Sequence, residues 1–235
     1  MKKFRAFIAL DSKTNNENLK VVKKLHHYVY GFKVGYRSFY NLNSDKLIKE
    51  IKKYKSKLFL DLKLHDIPNT VGSALESLSK INPDYLTIHI SGGSTMMKYA
   101  LSTIKQKKMK TKLLGVTLLT SLDSKDSRNI YNEHDTTKLV KKFASLAKKS
   151  EINGIICSGN DLSEIKRFKS LLKITPGVKM FNRKDDQKRV TYVHDALNLG
   201  ADFVVIGREL INSKDPKSML QKYYEKYQNQ NLWTN

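Results

Sequence analysis

The sequence predicts an α/β protein of the (βα)8 barrel class, folded as a single domain over residues 1–235. Short apolar runs rich in β-branched and aromatic residues recur eight times, and the stretches between them carry apolar residues every three or four positions. This alternation predicts βα units with parallel strands that are covered on both faces. Eight such units in 235 residues fit a closed barrel, which typically has about 250 residues, better than an open doubly wound sheet.

The predicted strands occupy residues 4–10, 31–35, 58–64, 85–90, 113–119, 154–157, 171–175 and 203–206. Helical spacing fills the intervals, as at Leu139, Val140 and Phe143. The turn after the first strand has no G-x-G-x-x-G and the chain has no Walker sequence, which argues against dinucleotide and P-loop folds. No Pro/Gly/Ser-rich linker interrupts the chain, and a loop is predicted at residues 121–127.

The chain is strongly basic, with 44 Lys and Arg against 22 Asp and Glu and a formal net charge of +22. A nucleic-acid site needs basic residues gathered in a stripe. The densest run, residues 105–112, has five lysines but no interleaved aromatic residues, and an apolar segment follows it directly. We therefore predict a solvated helix end or loop there, a diffuse lysine-rich surface elsewhere, and no specific nucleic-acid partner.

Membrane and secreted classes are also disfavoured. No stretch approaches the roughly 20 apolar residues that a bilayer span needs, and the first apolar run stops at Asp11, too early for a signal peptide. The single Cys157 cannot form an intramolecular disulfide, which favours a reducing compartment. We expect a cytoplasmic protein with no membrane partner.

Charged residues interrupt or follow the first three predicted strands, at the end where a barrel carries its catalytic groups. These residues are Asp11, Lys33, Asp61, Lys63 and Asp66. Side chains alternate along a strand, so Asp61 and Lys63 point to the same face. Because buried charges are tolerated only when they pair, lysines interleaved with aspartates predict a paired array. Such an array presents a fixed anion beside an ammonium acid.

A second polar group follows the last two predicted strands. Strand seven runs into Pro176, Gly177 and Lys179, and strand eight runs into Gly207 and Arg208. The loops after these strands form a recurrent phosphate site in barrels. Gly207 lets main-chain N–H groups approach an anion and Arg208 can cap it, so we predict that a phosphate group binds here.

Eight motifs in order resemble those of the orotidine 5′-phosphate decarboxylase family, and the resemblance spans nearly the whole chain. They are IALD at 8–11, FKVG at 32–35, LDLKLHDIPNT at 60–70, HISGG at 89–93, VTLLTS at 116–121, TPGV at 175–178, DQKR at 186–189 and VIGR at 205–208. A D-x-K-x-x-D sequence alone is moderately specific, whereas all eight motifs in order are highly specific.

The resemblance implies a homodimeric barrel that converts orotidine 5′-phosphate into UMP and CO2, the last step of de novo UMP synthesis, without a metal or an organic cofactor. It implies a catalytic tetrad of Lys33, Asp61, Lys63 and Asp66, in which Lys63 protonates C6 of the pyrimidine. The implied substrate-binding residues are Asp11, Lys33, Asp61, Ile67, Thr70, Thr120 or Ser121, Pro176, Lys179, Gln187, Gly207 and Arg208.

The resemblance also assigns these residues to parts of the substrate. It implies that Asp11 and Lys33 bind the ribose hydroxyls and that Thr120 or Ser121 binds the pyrimidine edge. It implies that the phosphate is bound by Gln187, Gly207 and Arg208. It also implies that the neighbouring subunit's site is reached by Asp66, Ile67 and Thr70. The family often has an arginine where this chain has Lys179, so a point charge replaces a bidentate fork there.

Two other interpretations explain part of the sequence. A metal-dependent sugar-phosphate decarboxylase or aldolase of the same superfamily shares the third strand, but the second strand would then be expected to offer a carboxylate. Lys33 stands there instead, and its ammonium would repel a divalent cation. A basic nucleic-acid-binding protein would explain the net charge of +22 but not the charged strand ends.

Overall fold

The computed structural model describes residues 3–181, 191–227 and 232–234. In this part of the chain eight strands form a closed barrel in chain order, which confirms the predicted (βα)8 class. The strands are β1 Phe4–Ala9, β2 Val29–Gly35, β3 Lys57–Leu64, β4 Tyr85–His89, β5 Lys112–Val116, β6 Gly154–Ile156, β7 Leu172–Pro176 and β8 Phe203–Ile206. The single domain over residues 1–235 stays a prediction.

Helices fill the intervals between the strands, as the apolar spacing predicts. They are α1 Asn15–Leu25, α2 Tyr36–Phe39, α3 Ser44–Lys53, α4 Pro68–Leu78, α5 Gly93–Gln106, α6 Ser124–Tyr131, α7 Thr136–Lys149, α8 Leu162–Ile165, α9 Val193–Asn198, α10 Arg208–Ile211 and α11 Pro216–Tyr227. Local sequence sets their starts. Thr14 and Glu17 form a capping box at α1, and Pro68 occupies the first turn of α4, where a missing N–H costs nothing.

The chain divides into two compact units. The first unit combines Met1–Asp61 with Thr175–Asn235, and the second unit is Leu62–Ile174. In the first unit β1 pairs in parallel with β2 on one side and with β8 on the other. In the second unit β4, β5 and β6 pair in parallel in order, and residues of β7 continue the ladder.

Aromatic rings fill the core of the first unit. Phe7 on β1 packs edge-on against Phe59, Tyr30 and Phe203, with ring centroids 5.2, 5.4 and 5.6 Å apart. Gly31 makes room for this packing of strands, because a Cβ atom there would lie 2.2 Å from the carbonyl oxygen of Lys57. The apolar layer therefore lies along β1 to β3 before the charged positions at their carboxyl ends.

Residues 232–234 lie against the amino end of β1. Arg5 N–H donates to the carbonyl of Leu232 at 3.0 Å, and Thr234 N–H donates to the carbonyl of Lys3 at 2.7 Å. The ring of Trp233 lies 4.9 Å from that of Phe4. This short antiparallel pairing closes one end of the first unit's core.

Two boundaries in the second unit differ from the prediction. Strand β5 ends at Val116 and not at residue 119. Thr117 still donates its N–H and its hydroxyl to the carbonyl of Ile156, at 3.2 and 2.8 Å, and the chain bends at Leu118. The predicted loop at 121–127 is wrong from Ser124 onward, where α6 begins. Asp123 caps this helix and accepts from Asp126 N–H at 2.9 Å, a signal that the serine-rich composition concealed.

The lysine-rich run at residues 105–112 is a helix end and a loop, as predicted. Helix α5 ends at Gln106, β5 begins at Lys112, and the five lysines between and around them are exposed. Met109 and Thr111 anchor the loop, since they are only 9% and 5% exposed. The run is a solvated surface.

The described helices are all too short or too polar to cross a bilayer.

Candidate active site

The first unit brings three predicted site residues together at the carboxyl ends of β1, β2 and β3. Lys33 Nζ lies 3.2 Å from Asp61 Oδ2, and both side chains are nearly buried. A Cβ atom on Gly35 would lie 3.4 Å from Lys33 Nζ and 3.7 Å from Asp11 Oδ1. The ammonium of Lys33 thus lies beside the carboxylate of Asp61, and it shares the space next to Gly35 with the carboxylate of Asp11; the predicted pairing of Lys33 with Asp61 is confirmed.

The strand register explains this arrangement. Lys33 on β2 stands opposite Ala9 on β1, two residues before Asp11, and Gly35 stands opposite Asp61 on β3. Parallel pairing thus sets three consecutive strand ends side by side. Lys33 and Asp61 are held by the barrel strands themselves, and Asp11 lies in the turn directly after β1.

Tyr36, the first residue of α2, belongs to this group, and sequence reasoning did not single it out. Burial raises the pKa of its phenol, and the negative charge of Asp61 and the neighbouring Tyr40 raise it further. The ring is still 49% exposed, so it borders the site on the solvent side. Its place directly after the FKVG motif was the one available signal.

Lys63, in the second unit, has an unusual backbone. Its φ angle is +42°, in the left-handed region that lysine rarely adopts. Its N–H donates to the hydroxyl of Thr87 on β4 at 2.8 Å, and Thr87 is fully buried. Such strain persists where the surroundings enforce it, which is common at functional positions. Thr87 was missed by sequence reasoning because it lies inside an apolar strand.

Asp66, Ile67 and Thr70 lie at the start of α4 in the second unit, and all three are exposed. Asp66 Oδ1 accepts from the N–H of Ile67 at 2.7 Å, which fixes the carboxylate at the helix entrance. Ile67 is 67% exposed although it is apolar. These residues present a surface that a single copy of the chain leaves uncovered.

Thr120 and Ser121 lie in an exposed turn after β5. Leu122 N–H donates to the carbonyl of Leu119 at 3.0 Å and closes the turn around them. Both hydroxyls belong to the second unit and are accessible to a ligand. The geometry does not favour one over the other.

The predicted phosphate end lies in the first unit. Lys179 and Arg208 line one cavity of about 440 Å³, which is also lined by Glu209, Asn212, Ser213 and Met219. Gly207 precedes α10, and Pro176 is the last residue of β7. The placement of Lys179 and Arg208 on one cavity agrees with the predicted anion site. Gln187 lies outside the described residues.

The segment that carries Lys179 is held at two points. Lys179 N–H donates to the carbonyl of Thr191 at 3.1 Å, and Val193 N–H donates back to the carbonyl of Lys179 at 2.9 Å. Glu209 Oε2 accepts from the N–H of Met180 at 2.8 Å. Glu209 thus ties the residue after Lys179 to the helix of Arg208, a role that no sequence signal indicated.

Among the described residues no group of three or more His, Cys, Asp or Glu side chains could hold a metal ion.

A family model described as "Orotidine 5'-phosphate decarboxylase / HUMPS family" matches residues 5–223. A Wolbachia pipientis protein named orotidine 5′-phosphate decarboxylase is 38% identical over 212 residues, which are 89% of this chain and 92% of that protein. A Buchnera aphidicola protein of the same name is 36% identical over 224 residues, 94% of each chain. The crystal structure of orotidine 5′-phosphate decarboxylase from Lactobacillus acidophilus superposes with a TM-score of 0.78 at 29% identity, covering 95% of this chain and 98% of that one.

Proposed function

The chain belongs to the orotidine 5′-phosphate decarboxylase / HUMPS family, and we propose that it is a carboxy-lyase that converts orotidine 5′-phosphate into UMP and CO2. The observation that carries the proposal is the nearly buried Lys33–Asp61 pair beside Asp11, at the strand ends where the family motifs lie. A buried ion pair is a poor way to stabilise a fold, so its presence at the barrel's strand ends favours a catalytic purpose.

The reaction requires a site that disfavours the carboxylate attached to C6 and favours the carbanion that forms on C6 when CO2 leaves. Loss of CO2 breaks the bond between C6 and the carboxylate carbon, and the electron pair stays on C6. We assign Asp61 to face the substrate carboxylate and Lys63 to protonate C6. The Lys63 amine then regains its proton from water, so the cycle balances without a redox partner.

Lys33 and Asp66 complete the proposed tetrad. Lys33 fixes the carboxylate of Asp61 by the 3.2 Å contact and faces the ribose together with Asp11. Fixed charges of this kind act on the transition state without having to reorganise when the reaction occurs. The preorganised pair supports an electrostatic role for the site.

The remaining contacts follow the parts of the substrate. Lys179, Gly207 and Arg208, with Gln187, are assigned to the phosphate, and the cavity that Lys179 and Arg208 share supports this assignment. Pro176, at the end of β7, stays a proposed substrate-binding residue. Thr120 or Ser121 is assigned to the pyrimidine edge. Binding energy from the phosphate, remote from C6, would then help to pay for assembling the site around the base.

We propose that the enzyme is a homodimer in which Asp66, Ile67 and Thr70 reach the partner's site. Their exposure, and above all that of the apolar Ile67, supports an interface at the start of α4. Mixing Lys63→Ala with Asp66→Ala chains tests this. If Asp66 acts across the interface, hybrid dimers regain one intact site, and activity returns to about a quarter of wild type at equal mixing. No recovery contradicts the shared site.

We also propose a cytoplasmic location and a reaction that uses no metal. Cys157 is buried and is the single cysteine of the sequence, so no intramolecular disulfide can form, which suits a reducing compartment. Cell fractionation followed by detection of the protein tests the location.

The proposed function is tested by the fall in absorbance as orotidine 5′-phosphate becomes UMP, with and without a chelator. We expect turnover in both conditions. Absence of turnover refutes the function, and loss on chelation alone would support the metal-dependent alternative. Lys63→Ala should fold normally and lose at least about 10²–10⁴ in kcat, the usual contribution of a proton donor. Lys110→Ala, an exposed lysine in the loop after α5, is the matched control.

A further inference from the structure

Three polar side chains of the first unit are buried beside the turn that carries Asp11. Asn15 and Asn18 lie on α1 and Ser38 lies on α2, and they are 2%, 0% and 0% exposed. Asn18 Nδ2 donates to Asn15 Oδ1 at 3.1 Å and to Ser38 Oγ at 2.9 Å. Asn15 Nδ2 donates to the carbonyl of Ser38 at 2.8 Å. The three side chains therefore form one continuous hydrogen-bonded network.

The network is bonded to the main chain on both sides of Asp11. Ser38 Oγ donates to the carbonyl of Leu10, and Asn18 Oδ1 accepts from the N–H of Ser12 at 3.2 Å. From outside the network, Arg37 Nη1 donates to the carbonyl of Asp11 itself at 3.2 Å. The peptide groups before and after Asp11 are thus held by different side chains.

Packing alone does not explain these residues. Buried amides and hydroxyls carry a desolvation cost that an apolar side chain avoids, and hydrogen bonds between them return only a modest net gain. Fully bonded networks are instead able to enforce a single geometry. Here that geometry belongs to Asp11, whose carboxylate shares the space beside Gly35 with the ammonium of Lys33.

We propose that Asn15, Asn18 and Ser38 form a positioning network that fixes the carboxylate of Asp11 relative to Lys33. The proposal rests on the proposed function, in which Asp11 and Lys33 bind the ribose. The network itself touches no reacting atom, so its three members are positioning residues. A shift of about 1 Å in a binding group is enough to lower catalysis by about 10²-fold.

The first test replaces Asn18 by the similarly sized leucine, and Ser38 by alanine as a milder variant. Both variants should lower kcat/KM for orotidine 5′-phosphate by about 10- to 100-fold while circular dichroism shows a folded barrel. Thr111→Val is the matched control. Its buried hydroxyl donates to the carbonyl of Pro83 at 2.6 Å before β5, so this variant should lose stability and keep kcat/KM.

The second test asks whether the effect passes through Asp11. In an Asp11→Ala background, where the carboxylate is gone, Asn18→Leu should change kcat/KM by less than about twofold. An undiminished effect in that background overturns the proposal, and so does a variant that loses stability without losing kcat/KM. If Asn18→Leu does not fold, Ser38→Ala takes its place in the same cycle.

The outcome for the wild-type enzyme separates the two proposals. Turnover in the wild type with unchanged kcat/KM in both network variants overturns the positioning role alone. Absence of turnover in the wild type overturns the proposed function, and the positioning role falls with it.

Discussion

The ammonium of Lys33 lies 3.2 Å from the carboxylate of Asp61, with the two side chains 11% and 13% exposed. Removing Asp61 leaves the nearly buried ammonium of Lys33 without its 3.2 Å ion-pair partner. The Lys107–Glu76 ion pair is much more exposed: its charged atoms lie 2.9 Å apart, and its side chains are 36% and 50% exposed. The two kinds of pair should therefore respond very differently to truncation.

We expect Asp61→Ala to lower the free energy of unfolding by about 3 kcal/mol. Adding Lys33→Met should restore part of that loss, because it removes the uncompensated ammonium. Glu76→Ala is the control for an exposed pair and should cost no more than about 1 kcal/mol. Urea unfolding followed by circular dichroism measures all three, and equal losses for Asp61→Ala and Glu76→Ala would contradict the prediction.

Thr87→Val should lower kcat about tenfold and leave KM within about twofold, because the variant removes the acceptor that holds the strained Lys63 peptide. The substitution keeps the shape of the side chain. Thr103→Val is the control, since Thr103 is also buried and its hydroxyl donates within α5 to the carbonyl of Tyr99. Steady-state kinetics of both variants tests this prediction. An unchanged kcat in Thr87→Val would show that Thr87 does not position Lys63.

Two substitutions of Glu209 are expected to affect KM differently. Glu209→Ala loses the 2.8 Å bond to Met180 N–H and should raise KM about tenfold with little change in kcat. Glu209→Gln keeps an acceptor and removes a negative charge from the cavity shared by Lys179 and Arg208. Its KM should stay at or below the wild-type value. Equal rises in KM for both variants would contradict the tether.

The carboxyl of Asp161 is expected to make the free energy of unfolding depend on pH. Burial raises the pKa of its carboxyl above the ordinary 3.8, and hydrogen bonds from Ser158, including one of 2.7 Å from the hydroxyl, oppose this rise while Glu164 adds to it. Since the folded state holds the proton more tightly than the unfolded state, this carboxyl destabilises the fold as pH rises through its folded pKa.

Asp161→Asn removes that titration. The stability of the variant relative to wild type should therefore increase as pH rises from about 4 to 7, because only the wild type then carries the buried charge. Urea midpoints measured across this range give the difference. A stability difference between variant and wild type that stays constant or decreases with pH would contradict the prediction. Glu151→Gln, an exposed carboxyl at the end of α7, serves as the control.

The fold was largely predictable because strands that are buried on both faces appear in the sequence as apolar runs. All eight runs overlap the observed strands, and the charged positions Lys33 and Asp61 were conspicuous because charges are rare inside such runs. The end of β5 was less visible, since the sequence stays apolar through Leu118 and Leu119 after the ladder has ended.

The supporting residues of the site were not predictable, and the reason is physical. Thr87 and Glu209 bond to main-chain groups 24 and 29 positions away. Asn18 bonds to the side chain of Ser38, 20 positions away, and to the main chain of Ser12. Polar side chains of these types are common on helices and inside strands, and no local pattern distinguishes the bonded ones. Such contacts become visible only when the strands and helices are assembled.

The pairing of residues 232–234 with β1 has a consequence for how the protein is made. Lys3 and Thr234 are hydrogen-bonded to each other although they are 231 positions apart in the sequence, and β1 also pairs with β8. At about 5–20 residues per second a ribosome needs roughly 10–50 s to supply these late partners. The second unit is continuous in sequence and is synthesised completely before them. The contacts of the second unit can form during translation, whereas β1 of the first unit stays without two of its partners until β8 and residues 232–234 have been synthesised.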